Sequence, residues 1–240
     1  RNGVPSIRIQ ADGLTVAEAH IAEGLGAGIQ VSQYGARIEN TIVESHAKEG
    51  ILVQPQIAEQ LPLLTLRNVT LRDNTGAAVL VGGPIRLELE NNSAEDNGTN
   101  GIVMAAATYQ ADVVLMGGDL PFVPIGVINV QRGTLTIQAG ALVKFGGANS
   151  AEIRASQGGR IEILGTAEAP VVLTAIADDT TCPVARVECD TGNDGRTSPL
   201  ANAWRSITYE DDAGGGRIAY AELRYGGGQA MVNIESAGVT

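Results

Sequence analysis

The chain reads as an all-β solenoid, and three observations carry that expectation. A six-residue phrase recurs, a second apolar strand follows each copy at a fixed offset, and the composition suits a long narrow core. The phrase runs apolar, any, Asn or a substitute, any, any, apolar. It occurs as Val16-x-Glu18-x-x-Ile21, Ile38-x-Asn40-x-x-Val43, Leu66-x-Asn68-x-x-Leu71, Leu89-x-Asn91-x-x-Ala94 and, far downstream, Ile218-x-Tyr220-x-x-Leu223. Trailing strands begin at Ile29, Ile51, Val79, Ile102 and near Met231, always at the same offset from the first anchor. The anchors Val16, Ile38, Leu66 and Leu89 step along the chain unevenly, yet the interior of each copy keeps its spacing. Self-similarity at a period of roughly 20–50 residues marks a solenoid, and here each copy holds only short alternating strands. At about 24 residues per coil the chain makes about nine or ten coils, a rise of roughly 45 Å.

Each part of the phrase has a physical role. Side chains alternate along a strand, so the first anchor points inward and the Asn then sits where the strand turns a corner. Asn tolerates left-handed backbone and bonds nearby main chain, which suits a tight bend. Stacking should bring Asn40, Asn68 and Asn91 one above another as an amide ladder. The core must be filled by small branched residues: 44% of the chain is apolar, yet it has one Trp, five Tyr and two Phe, beside 31 Gly.

Charge and cysteine usage bound the setting. A net charge of −11 argues against nucleic acid and anionic membranes as partners, because both call for a basic surface. No apolar run is long enough to span a bilayer, and the opening Arg1-Asn2-Gly3 carries no signal peptide. That opening lies inside a repeat-like phrase, as expected of a mature piece of something longer. Cys182 and Cys189 lie close together in a polar loop, which predicts a small disulfide and an oxidising, extracytoplasmic location.

The coils fall into two styles. Residues 1–110 carry the Asn phrase; 111–134, with Gly117, Gly118, Pro121 and Pro124, read as an irregular connecting segment; 135–240 resume coils around a long polar loop at 178–203. The pair Leu135/Ile137 recurs one coil later as Ile161/Ile163.

The second style carries a resemblance. Gly133, Leu135, Ile137, Gly140, Val143, Lys144 and Phe145 are followed by Gly165, Thr166, Ala167, Pro170, Val171, Val172 and Thr174, then an acidic loop and a strand led by Trp204. This resembles the right-handed parallel β-helix repeats, pectate-lyase-like in architecture, of large bacterial cell-surface proteins. The resemblance covers 133–225. It implies a right-handed parallel β-helix at an extracellular cell surface and implies no activity, since solenoids host enzymes, adhesins and spacers alike. The chain ends also resemble each other: Ser6 to Thr15 aligns without gaps on Met231 to Thr240, a shift of nearly the whole chain. Two explanations stand: any two coils look alike, or that shift is one period of a tandem super-repeat.

Candidate chemistry is sparse. Polysaccharide-cleaving solenoids need clustered carboxylates on an outward sheet face, whereas Gln30, Leu52, Leu80 and Val103 hold the outward places of the trailing strands. Carboxylates gather in loops instead, at Asp178 and Asp179, Asp190 and Asp194, and Glu210 to Asp212. His20 and His46 lack a nucleophile or ligand spacing and read as surface residues. Asp190, Asn193, Asp194 and Gly195 resemble the first half of a Ca²⁺ loop. Gly192 replaces one ligand and Ala201 stands where a closing Glu belongs, so an acidic turn is the alternative. Asn68, Asn91 and Asn97 match glycosylation acceptors, discounted where they serve as ladder positions. Thr15, Thr41, Thr70 and Thr136 hold no common register, against an ice-binding face.

The reading is a non-catalytic structural or adhesive module of an extracellular, tandem-repeated surface protein or fibre, with no cofactor beyond a candidate Ca²⁺. Its expected partners are other copies, end to end or side by side, and a surface glycan or protein. A polysaccharide-binding or polysaccharide-degrading β-helix is the alternative. Leu52, Leu80 and Val103 would form an apolar outer stripe needing a cover, either residues 109–127 or a neighbouring chain.

Overall fold

The computed structural model describes residues 3–32, 34–55, 61–182, 189–228 and 230–240. The opening Arg1 and Asn2 lie outside them. The chain winds as an all-β, right-handed parallel β-helix of about nine turns. Among the described residues its strands form sheets of twelve, six and four members along the axis. One column runs from end to end: Ile7, Ile29, Ile51, Val79, Ile102, Phe122, Val143, Leu173 and Leu223 pair in parallel register, each with the next. Its seven middle members are at most 1% exposed. Burying a side chain of that size stabilises by roughly 1.5–3 kcal/mol, so the column is the spine of the core.

The recurring phrase builds a second and a third face. Val16, Ile38, Leu66 and Leu89 share one register row, and Ile21, Val43, Leu71 and Ala94 share another. Between the two rows the chain bends at Glu18, Asn40, Asn68 and Asn91, whose φ values of 52°, 47°, 52° and 55° are left-handed. The side chains at this corner face solvent: Asn68 Nδ2 donates to Asn40 Oδ1 at 2.9 Å and Asn40 Nδ2 to Glu18 Oε1 at 2.6 Å, both exposed. Asn91 has the same backbone conformation and is exposed as well.

A second corner lies five residues on, at Glu23, Ser45, Asp73 and Asp96, again with positive φ. The next residue there turns inward, and it builds a buried ladder. His46 N–H donates to Asn74 Oδ1 at 3.1 Å, and His46 Nδ1 lies 3.1 Å from the same oxygen. Asn74 Nδ2 donates to Val43 O and to Asn97 Oδ1, and Asn97 Nδ2 donates to Leu71 O. His46 and Asn74 are 1% exposed and Asn97 is 0% exposed. The surface placement expected for His46 is thus corrected: its ring fills the place that asparagine holds in the next coils, where a Cβ on Gly24 would come within 2.7 Å of it. His20 does lie at the surface, 2.6 Å from Glu44.

The expectation that 111–134 is irregular is also overturned. Val113–Leu115 pairs with Leu135 to Ile137, and Phe122–Gln131 continues the main sheet from Ile102. Pro124 is tolerated within Phe122–Gln131, and Gly126 has φ 77° at a break in its register. From here the cross-section changes. A face formed by Ile128, Ile153, Ile207 and Val232 is added after the main column. The aligned chain ends sit on different rows as a result: Ile7 pairs with Ile29 in the main column, whereas Val232 continues the row of Ile207.

Candidate functional site

The polar loop after Ala175 is the most elaborate surface feature, and the outward row of the main sheet explains where it lies. Gln30, Leu52, Leu80, Val103 and Val123 occupy successive places on that row, and Lys144 and Thr174 follow in the next coils. Leu52 and Leu80 are half-buried, but Val103, Val123, Lys144 and Thr174 are buried. The cover expected from residues 109–127 is therefore a misassignment. That segment is part of the coils, with Val113, Leu115, Leu120, Phe122 and Val123 buried and Val114 facing out.

The loop lies against the buried part of the row. Lys144 Nζ donates to Asp178 O at 2.7 Å and lies 3.6 Å from Cys189 Sγ. Thr174 Oγ1 donates to Asp178 Oδ2 at 2.7 Å. Farther along, Asn100 N donates to Thr191 O and Asn100 Nδ2 to Asp190 O, both at 2.8 Å. Asn100 Oδ1 also accepts from Asn97, so the buried ladder runs on into the loop. Cys182 and Cys189 are disulfide-bonded with Cα atoms 5.7 Å apart, closing the loop on itself.

Burial acts on two charged groups here, Asp178 and Lys144. Burial alone would raise the Asp178 carboxyl, but the hydroxyls of Thr180, Thr174 and Thr181 and the Thr180 amide outweigh it and hold the group below its usual range. Burial pushes the Lys144 ammonium down to about 8, against the pull of Asp178, Asp179 and Asp190.

The structure brings Asp190 and Asp194 together with Asp179. One ligand atom from each lies within 4.8 Å of the others, an arrangement able to hold a divalent cation. Asp190 accepts N–H groups from Asp194 and Gly195. Asn193 supplies the left-handed turn between them with φ 52°. Asp179 is legible in the sequence only as one more loop acid, because its approach to Asp190 depends on how the disulfide-closed loop folds back.

A polar groove of about 460 Å³ has no counterpart among the sequence expectations. It lies on the added face, lined by Glu152, Arg154, Arg205, Thr208, Glu210 and Asn233 among others. Glu152 is 1% exposed and faces Arg154 at 2.9 Å and Arg205 at 3.5 Å, while Arg154 also reaches Glu210 at 3.2 Å. The alternation of Glu152, Arg154 and Ser156 is the signal that could have found it, well beyond the first coils, whose outward places are mostly apolar.

Residues 5–115 match the family model described as a right handed beta helix region. No significant match is found among curated proteins or solved structures. The same parallel register runs on beyond the matched residues to Leu223. The chain is a right-handed parallel β-helix.

Proposed function

We propose that this β-solenoid scaffold is a non-catalytic structural or adhesive module of an extracellular, tandem-repeated bacterial surface protein or fibre, and that the divalent cation its acidic trio suits is Ca²⁺. The observation that carries the reading is the unbroken nine-member column from Ile7 to Leu223. A continuous parallel stack gives length and stiffness, which is what a spacer or display surface needs. The disulfide supports an oxidising setting. Partners on this reading are further copies, end to end or lateral, and a surface glycan or protein. Electron microscopy of the protein over a range of concentrations tests it. Rods whose lengths are multiples of one unit support the module, and release of reducing ends from acidic polysaccharides would overturn it.

The groove beside Glu152 favours a second reading, a polysaccharide-binding face. Glu152 and Glu210 are engaged by Arg154 and Arg205, and Glu235 accepts from Asn233, which suits recognition of hydroxyl and carboxylate groups more than proton transfer. Loss of glycan retention in Arg154→Ala on an affinity column would support it.

A further inference from the structure

We propose that Asp179, Asp190 and Asp194 form a Ca²⁺ site that ties the two arms of the covering loop together. The proposal rests on the extracellular reading for the availability of the ion and on the geometry for everything else. Clustered acids alone would be an acidic turn. What sets this cluster apart is Asp179, which is 5% exposed, with one carboxylate oxygen satisfied and the other bare. Oδ2 accepts from Thr197 N at 2.7 Å and from Thr197 Oγ1 at 3.2 Å. Oδ1 is buried with no hydrogen-bond partner, alone in this among buried side-chain atoms of the described residues. A buried, unpaired carboxylate oxygen is costly unless something positive meets it.

Two nearby protein cations, Lys144 and Arg224, are engaged elsewhere. Lys144 Nζ is held by Asp178 O and Cys189 Sγ. Arg224 reaches Thr181 Oγ1 and Glu222 and lies 3.9 Å from Asp178. The trio itself is placed to share one ion: its ligand atoms lie within 4.8 Å of one another, no farther apart than two oxygens on opposite sides of a Ca²⁺ at about 2.4 Å each. An all-oxygen carboxylate set disfavours zinc, and a site built from protein carboxylates suits Ca²⁺ better than Mg²⁺, which sheds its waters reluctantly. Asp179 precedes the disulfide-closed segment and Asp190 and Asp194 follow it, so one ion would join both arms above the buried row of Val123 and Lys144.

The test is calorimetric titration of the full chain, freed of metal with a chelator, with CaCl₂ and separately with MgCl₂, beside thermal unfolding in both states. The expected result is one saturable Ca²⁺ site with Kd on the order of 10⁻⁴–10⁻³ M, as for extracellular modules. Mg²⁺ should bind more weakly, and Ca²⁺ should raise the melting midpoint. Asp179→Asn should abolish binding. Asp194→Ala, at an exposed position, should weaken it by about tenfold or more without moving the midpoint in chelator, which separates ligation from folding. A wild-type protein silent to Ca²⁺ at about 10 mM, or an Asp194→Ala variant that binds as tightly as wild type, overturns the site. Either failure removes the Ca²⁺ assignment and leaves the structural-module reading standing, since that is read from rod formation and polysaccharide cleavage.

Discussion

Asn74 Nδ2 donates to Asn97 Oδ1 across 2.8 Å where neither residue has more than 1% of its surface exposed. The same Asn74 accepts the His46 amide and donates to Val43 O, so one side chain serves three coils. Asn74→Ala should cost on the order of 2–4 kcal/mol, because it strands buried groups on both sides. Asn68→Ala, at the exposed corner, loses mainly the tolerance for positive φ and should cost about 1 kcal/mol. Urea unfolding of the two variants compares them; equal losses would mean the ladder contributes no more than the corner.

His46 ties the ladder to pH. Its Nδ1 faces Asn74 Oδ1, which fixes the proton on Nδ1 and leaves Nε2 to accept from Ser6 Oγ at 3.2 Å. Burial pushes the imidazole below its usual range, with the Asn74 bond opposing. The unfolded chain therefore takes up a proton first, and stability should fall as pH drops below about 6.5. His46→Asn extends the asparagine ladder and should flatten that dependence below about pH 6.5; a slope equal to that of wild type would assign it to other groups.

Lys144 predicts the opposite end of the pH scale. Its folded value of about 8 lies below the ordinary lysine range, so between roughly pH 8 and 10 the unfolded state holds a proton that the folded state has released. Stability should rise across that window by an amount on the order of 2–3 kcal/mol. Lys144→Met should remove the rise. Denaturant midpoints at several pH values across the window check both proteins.

The outer row gives a pair of contrasting substitutions. Val103 is 5% exposed, whereas Leu80, one coil earlier on the same row, is half-buried. Val103→Asp should cost about 3 kcal/mol or more by burying a charge, and Leu80→Asp should cost about 1 kcal/mol or less. Calorimetric melting midpoints of the monomer decide it, and equal sensitivity would contradict the difference in burial between the two positions.

Trp204 closes the core beside the loop. Its indole stacks on Phe145 with ring centroids 4.2 Å apart, and its Nε1 donates to Arg224 O at 2.8 Å. A Cβ on Gly226 would stand 2.3 Å from the indole. Gly226→Ala should therefore cost about 2 kcal/mol or more and shift the tryptophan fluorescence to the red, while an unchanged emission maximum would contradict the packing.

The parts of this fold legible in sequence are those with a period. The anchors Val16, Ile38, Leu66 and Leu89 and the corner at Asn40, Asn68 and Asn91 repeat at matching offsets, so their stacking can be read directly. The buried ladder escapes such a reading because its members differ in kind, Gly24, His46, Asn74 and Asn97, although the pair Asp73-Asn74 returns one coil later as Asp96-Asn97. Residues 113–131 look irregular in sequence because Gly and Pro usually break strands, whereas here Gly117, Gly118 and Pro121 fall between strands and Pro124 is tolerated inside one. The approach of Asp179 to Asp190 and Asp194 spans a loop with no period at all, and only three-dimensional closure could show it.

The direction of the backbone hydrogen bonds has a mechanical consequence. In the main column every bond between coils points along the long axis, from Ile7 to Leu223. A pull on the two ends loads these bonds one strand at a time, peeling coils in series instead of shearing many bonds at once. Each coil of about 24 residues would release roughly 80 Å of chain for the height of about 4.8 Å that it surrenders. The same molecule that resists bending as a rod would thus behave under tension as a long, low-force extension reserve.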